Sequence, residues 1–149
     1  MIYCYRILWR CVLNIIICID DRGGMLFNKR RVSRDEYLLD DMLRTVKSPL
    51  YIKPFSAKLF SERGGAMLCD DPLSALSDGD WCFIEDEDIE PHLHKAESVV
   101  IYKWNRTYPF DLKFNTGALN SRFTLKSSEN FAGHSHEKIT KEIYENTKL

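Results

Sequence analysis

The stretch from residue 14 to residue 35, NIIICIDDRGGMLFNKRRVSRD, constrains the fold more than any other part of the chain. An apolar, β-branched run stops at Asp20 and Asp21, a glycine pair follows, then a basic loop, and then the start of a helix. A buried strand that hands its C-terminal end to a loop and a helix is the opening unit of a sheet-and-helix domain. In such domains pockets form outside the carboxyl ends of the strands.

The remaining pattern alternates strands with short helices. Ser33-Arg34-Asp35-Glu36 reads as a capping box, with Ser33 as N-cap and Glu36 three residues on, and Leu38, Leu39, Met42, Leu43 and Val46 follow at helical spacing. Pro49 restarts the chain into a strand over 50–53, and 56–61 is a short helix. A strand over 66–69 follows, then Asp71-Pro72 opens a one- or two-turn helix through Leu76. Trp81-Cys82-Phe83-Ile84 is apolar throughout, the mark of a strand covered on both faces. Strands are also expected over 98–104 and 123–126. For 136–148 helix and strand are evenly matched, Ser135 as N-cap, Ile139/Ile143 and Lys138/Glu142 giving a slight local preference for helix. There are no repeats, low-complexity tracts or linkers. The whole predicts an α/β domain with helices on both faces of a sheet.

With 149 residues the chain is one domain with a single core, and its 21 Lys and Arg against 22 Asp and Glu leave no global field for nucleic acid or membrane. Residues 1–19 are largely apolar, but Arg6, Arg10 and Asn14 interrupt them. That order fits neither a signal peptide nor a membrane span, and no membrane association is expected. The domain is expected to occupy 14–149, with 1–13 as an extension outside it and 1–12 as a loose tail or an artefact of where the reading frame was opened. The five cysteines, Cys4, Cys11, Cys18, Cys69 and Cys82, are odd in number and never form CxxC, which suits buried thiols in a reducing cytoplasm.

Several of these residues resemble dihydrofolate reductase. Between residues 83 and 114 a strand runs into a helix start, Lys95-Ala96 precedes the apolar Val99-Val100-Ile101, and Asp111 stands three residues before Phe114. Residues 14–35 are similar to that family's first strand, mobile glycine-containing loop and second helix. Residues 50–60 are similar to its next strand and helix, with Ser56 where the family has a hydroxyl residue. The resemblance covers most of residues 14–130. It implies a three-layer sandwich with a mixed, mostly parallel central sheet, and it aligns Asp35 with the family's pocket carboxylate, which holds the pterin and assists its protonation.

The departures bear on function. Where the family has a glycine pair that lets backbone N–H groups approach the NADPH pyrophosphate, this chain has Glu85-Asp86-Glu87-Asp88. The segment between Ser56 and Trp81 is also shorter than the family's, removing support for the adenosine. The expectation is a degenerate NADPH site, no cofactor, and either small-ligand binding or no catalysis. The chain also resembles short bacterial proteins opening with IDDxGGMLFNxRR strings and labelled ribonuclease Z. No HxHxDH metal-hydrolase string supports that activity here.

Candidate site residues follow from both readings. Asp35 is the catalytic candidate, although a carboxylate in a first helical turn is stabilised by the helix dipole without any ligand. Asp20 and Asp21 end the first strand, where they either line a pocket or are simply solvated. Arg30, Arg31 and Arg34, with Lys29, form a basic loop suited to a phosphate-bearing small molecule or to RNA, or else solvated. Ser56 completes the ligand-binding set. Asp35, Asp20 and Arg31 are expected to face one cleft, Arg31 neutralising at least one carboxylate. The pairs His92/His94 and His134/His136 carry no expectation of a metal. Trp104, Tyr108 and Phe110 read as a base-stacking platform or, more simply, as core.

Overall fold

The computed structural model describes residues 12–149; the expectation of an extension thus lies, but for its last two residues, outside the described residues. The first strand, β1 (Leu13–Ile19), begins one residue before Asn14, and Leu13 is itself fully buried and paired with Ala96. Its alternation decides the architecture. Leu13, Ile15, Ile17 and Ile19 enter one apolar cluster while Ile16 enters a second on the opposite face, so β1 lies between two cores.

A two-residue turn then makes a hairpin of what reads as a loop. Asn28 and Lys29 hold φ of 53° and 62°, the left-handed pair that joins tightly twisted strands, and β2 (Gly24–Phe27) pairs with β3 (Arg30–Arg31) through Leu26/Arg31 and Phe27/Arg30. The basic residues Arg30 and Arg31 are therefore strand residues. Helix α1 (Glu36–Thr45) buries Leu38, Leu39 and Met42 against the second core. β4 (Leu50–Ile52), a 3-10 helix over Pro54–Phe60, β5 (Ala66–Leu68), α2 (Pro72–Ala75) and β6 (Trp81–Phe83) follow. After a 3-10 helix over Glu90–Lys95 come β7 (Ala96–Lys103), β8 (Leu112–Lys113), a 3-10 turn, β9 (Phe123–Phe131) and β10 (Ile139–Asn146).

The seven-stranded sheet has the order β5-β4-β6-β1-β7-β10-β9. The first five strands are mutually parallel, and β10 runs antiparallel to both β7 and β9. β8 and β3 flank β2 in a separate three-stranded sheet. Leu73, Leu76 and Leu93 cover one face of the large sheet, and Leu38, Leu39, Met42, Leu59 and Phe60 cover the other, giving three layers.

Between the helix and the strand that the C-terminal pattern left open, the strand forms, against the slight local preference for helix: residues 139–146 are β10, paired along both edges. A spacing of four residues places Ile139 and Ile143 on one face of a helix, but an even spacing does the same in a strand. Both pack into the second core. Glu142 turns to Lys103 of β7, at 3.1 Å, rather than to Lys138. Among the described residues, no helix is long and apolar enough to cross a membrane.

Candidate functional site

The first turn of α1 is where the structure departs most from the capping box. Asp35, not Ser33, is the N-cap: with extended backbone (φ −152°, ψ 129°) its Oδ1 accepts the N–H groups of Tyr37 and Leu38 at 3.0 and 3.2 Å. Glu36, rather than reaching back, pairs with Arg34 and Arg63. The Ser33 hydroxyl is committed elsewhere, at 2.8 Å from His136 Nε2.

That contact belongs to a cluster, buried at Asp35, Trp104 and His136, assembled from three distant segments. The connection between β9 and β10 folds back over α1, so that the N–H groups of His134 and Ser135 donate to Asp35 at 3.0 and 2.8 Å and His136 Nδ1 lies 2.8 Å from Asp35 Oδ2. Gly133 makes the approach possible, because a Cβ there would stand 2.6 Å from Asp35 Oδ2 and 2.9 Å from the His136 carbonyl oxygen. The side chains of His136 and Asp35 are 3% and 0% exposed. Burial works against the Asp35 charge, but the N–H groups of His134 and Ser135, the His136 ring and the Leu38 N–H outweigh it and hold the carboxyl well below the usual range. The Trp104 indole stacks on the His136 ring at 4.8 Å, and the Tyr108 hydroxyl lies 3.3 Å from both Ser33 Oγ and His136 Nε2. Trp104 is thus buried core and not an exposed stacking surface.

The other candidate residues occupy separate places. Asp20 is buried, accepting from the N–H groups of Arg22, Gly24 and Tyr108 at 2.8, 2.7 and 2.9 Å, so it ties the turn after β1 to the chain beyond β7. With the exposed Asp21 it borders a cleft of about 340 Å3 that also holds Lys103, Asn105 and Lys113. Arg31 neutralises neither Asp20 nor Asp35. It grips Glu85 in a two-pronged pair, Nε to Oε1 at 2.9 Å and Nη2 to Oε2 at 3.0 Å, while lying over the Phe55 ring. Ser56 donates to the same carboxylate at 2.6 Å. One residue on, Lys53 reaches Asp86 at 2.9 Å and Glu87 at 3.3 Å, and these carboxylates outweigh burial to raise the lysine above its ordinary range. Arg31 and Lys53 thereby offset two of the four negative charges of the acidic run, and no ion pair of Asp88 occurs among the described residues.

The basic loop divides accordingly. Arg34 pairs with Glu36 at 2.9 Å, Arg31 with Glu85, and no ion pair of Lys29 or Arg30 occurs among the described residues. Arg30 and Arg31 border a cleft of about 550 Å3 with Phe27, Asn28, Val32, Tyr108 and Pro109. Asp20 and Arg31 thus border different clefts, and Asp35 is closed off by the β9–β10 connection. His92 and His94 stand on the 3-10 turn before β7 and His134 lies edge-on to Tyr37. No group of three potential metal ligands occurs among the described residues. Sequence reasoning missed Ser33, His136 and Tyr108 as one constellation. The only signal was the His134-Ser135-His136 string, and nothing local ties it to a helix a hundred residues earlier.

No family model matches the sequence, and no curated protein matches it. Among solved structures, a dihydrofolate reductase from Enterococcus faecalis complexed with NADP(H) and RAB-propyl is similar with a TM-score of 0.65 and 10% sequence identity, over 92% of this chain and 97% of that one. The chain has the dihydrofolate reductase fold; at this identity the likeness is one of fold.

Proposed function

We propose that this protein has given up dinucleotide-dependent reduction and binds a small, negatively charged ligand in the cleft beside the β2–β3 hairpin, in the cytoplasm. The observation that carries this reading is the Arg31–Glu85–Ser56 network at the end of β6. A pyrophosphate needs uncommitted N–H groups and positive charge. Here the strand end presents Glu85 through Asp88, and its two cations are already spent on those carboxylates. The turn that follows β6 leads to a six-residue 3-10 helix rather than to a long helix whose N-terminus could hold an anion. Asp35, the counterpart of a pterin-holding carboxylate, caps its own helix and is covered by His134, Ser135 and His136. Arg30, with Phe27 and Tyr108, supplies the charge and the apolar walls of a small-ligand cleft.

Binding of RNA through the basic loop is the alternative, and it has less to stand on. Two of the four cations are internally paired and Trp104 is buried, so no continuous basic groove with exposed aromatics supports it.

Calorimetry with NADPH and NADP+ at about 1 mM, where a Kd of that size corresponds to −4.1 kcal/mol, should give no saturable heat. A thermal-shift series with phosphate-bearing small molecules, pterins and short RNAs should show a rise with the first class, since a ligand of the native state stabilises it by mass action. Micromolar NADPH binding would refute the reading and restore an oxidoreductase; a rise with RNA alone would favour the alternative.

A further inference from the structure

We infer that Ser33, His136 and Asp35 form a nucleophilic relay in which Ser33 attacks small carboxylic esters or thioesters carrying a negative charge. The distances are those such chemistry requires: Ser33 Oγ to His136 Nε2 at 2.8 Å, and His136 Nδ1 to Asp35 Oδ2 at 2.8 Å. The protons fall into one consistent arrangement. Asp35 is surrounded by donors, so His136 donates Nδ1–H to it; in the neutral imidazole that the relay requires, Nε2 accepts the Ser33 hydroxyl, while Tyr108 donates to Ser33 Oγ. A carboxylate held by so many N–H groups stays ionised and serves as a fixed negative charge beneath the ring, and the Trp104 face fixes the ring plane. The relay is recognised by geometry and not by order in the chain, since its members come from positions 33, 35 and 136.

Access and substrate class come from the neighbours. Ser33 is only partly buried, unlike its two partners. The residues beside it, Val32 in sequence and Tyr108 in space, border the cleft that also contains Arg30 and Arg31. Ser33 stands one residue beyond the cleft wall, so an ester held by Arg30 must extend past Val32 and Tyr108 to present its carbonyl to Ser33, and there the Tyr108 hydroxyl, 3.3 Å from Ser33 Oγ, is the donor for the developing oxyanion. In the first step the Ser33 Oγ–carbon bond forms and the Ser33 proton passes to His136 Nε2. The bond from carbon to the leaving oxygen or sulfur then breaks, and the leaving group takes that proton. Water repeats the sequence, giving its proton to Nε2 as it attacks the acyl-serine, and Ser33 recovers the proton as the free acid departs. No redox partner is needed. Asp35 is a positioning residue; Ser33 and His136 touch the reacting atoms.

The substrate preference rests on the anion-cleft reading above, whereas the relay itself does not. The full chain is treated with diisopropyl fluorophosphate at pH 7.5 and the adduct is located by intact mass and peptide mapping. The expected result is one adduct on Ser33, absent in Ser33→Ala and formed about 100-fold more slowly in His136→Gln, the range lost with a general base. A structural role alone leaves Ser33 as inert as any surface serine. Failure of the wild-type chain to label at Ser33 overturns the relay whatever the variants do, and so does equal labelling of a folded His136→Gln variant. The mono-p-nitrophenyl ester of succinate should turn over faster than p-nitrophenyl acetate, an advantage lost in Arg30→Gln. Labelling of Ser33 with equal ester rates overturns the charge preference while leaving the relay standing, and the anion cleft stands or falls separately on the thermal-shift series.

Discussion

Replacing Asp35 by asparagine isolates the single carboxylate that joins α1 to the β9–β10 connection. Asparagine keeps the size of the side chain and the ability to cap, so the oxygen corresponding to Oδ1 continues to accept from Tyr37, Leu38 and His134. The change falls on Oδ2. There an amide NH2 meets the Ser135 N–H and the His136 Nδ1, both at 2.8 Å. His136 adapts by moving its proton to Nε2, but the Ser135 N–H has no such freedom and loses its acceptor. Loss of the charge-assisted Ser135 bond, whose donor is only part-buried, together with the exchange of the His136 bond for a neutral one, costs about 2–4 kcal/mol. Against a total near 5–15 kcal/mol that is a large fraction, and for a chain of this length it lowers Tm by roughly 5–15 °C. Urea unfolding at pH 7, with the m value checked for constancy, measures it directly. The pH dependence gives a second reading. The folded carboxyl lies below its unfolded value, about 3.9, so its contribution is complete above that value and declines as the pH falls through it toward the folded one. The gap between wild type and Asp35→Asn should therefore narrow from about pH 5 downward. A gap smaller than about 0.5 kcal/mol at pH 7, within the scatter of ordinary surface substitutions, would refute the claim that this charge holds the connection.

Glu85→Gln removes the charge that Arg31 and Ser56 both address. Arg31 is 25% exposed and finds water, so a loss of about 1–2 kcal/mol in urea unfolding is expected; a neutral result would mean that the pair is no more than a surface contact. Gly133→Ala drives a methyl into Asp35 Oδ2 and the His136 carbonyl and should cost about 1–3 kcal/mol, read from thermal melts; an unchanged Tm would show that the connection does not press on α1.

The parts of the fold legible in the sequence are those where one segment carries its own answer. The apolar runs of β1, β6 and β7 are covered on both faces and could only be inner strands. Their succession with short helices implied the layers. What was not legible depended on partners. Residues 139–146 have a periodicity that helix and strand satisfy equally, and only the free edges of β7 and β9 decide for the strand. The basic loop became a hairpin through Asn28 and Lys29, a pair that carries no glycine to announce positive φ. A charge run such as Glu85 to Asp88 looks repulsive until Arg31 and Lys53, from 54 and 33 positions away in sequence, are placed against it.

Asp35 shows why a helix cap and a candidate site could not be told apart from residues alone. An aspartate at a helix start is satisfied by two N–H groups on one oxygen, and nothing in its neighbours states what the other oxygen does. In the folded chain the two oxygens divide the work. Oδ1 looks mainly along the helix to Tyr37 and Leu38, and Oδ2 looks across to Ser135 and His136. Capping and relay are two faces of one carboxylate and not competing explanations of it. A consequence follows for any ligand that would approach Asp35 from the side where Gly133 and His136 now lie. It must first strip the Ser135 N–H and the His136 ring from Oδ2 and replace both, so it competes with contacts already built to the same geometry. A substrate of the proposed relay therefore approaches at Ser33, the partly exposed residue of the chain of hydrogen bonds, and not at Asp35, whose side chain is fully buried.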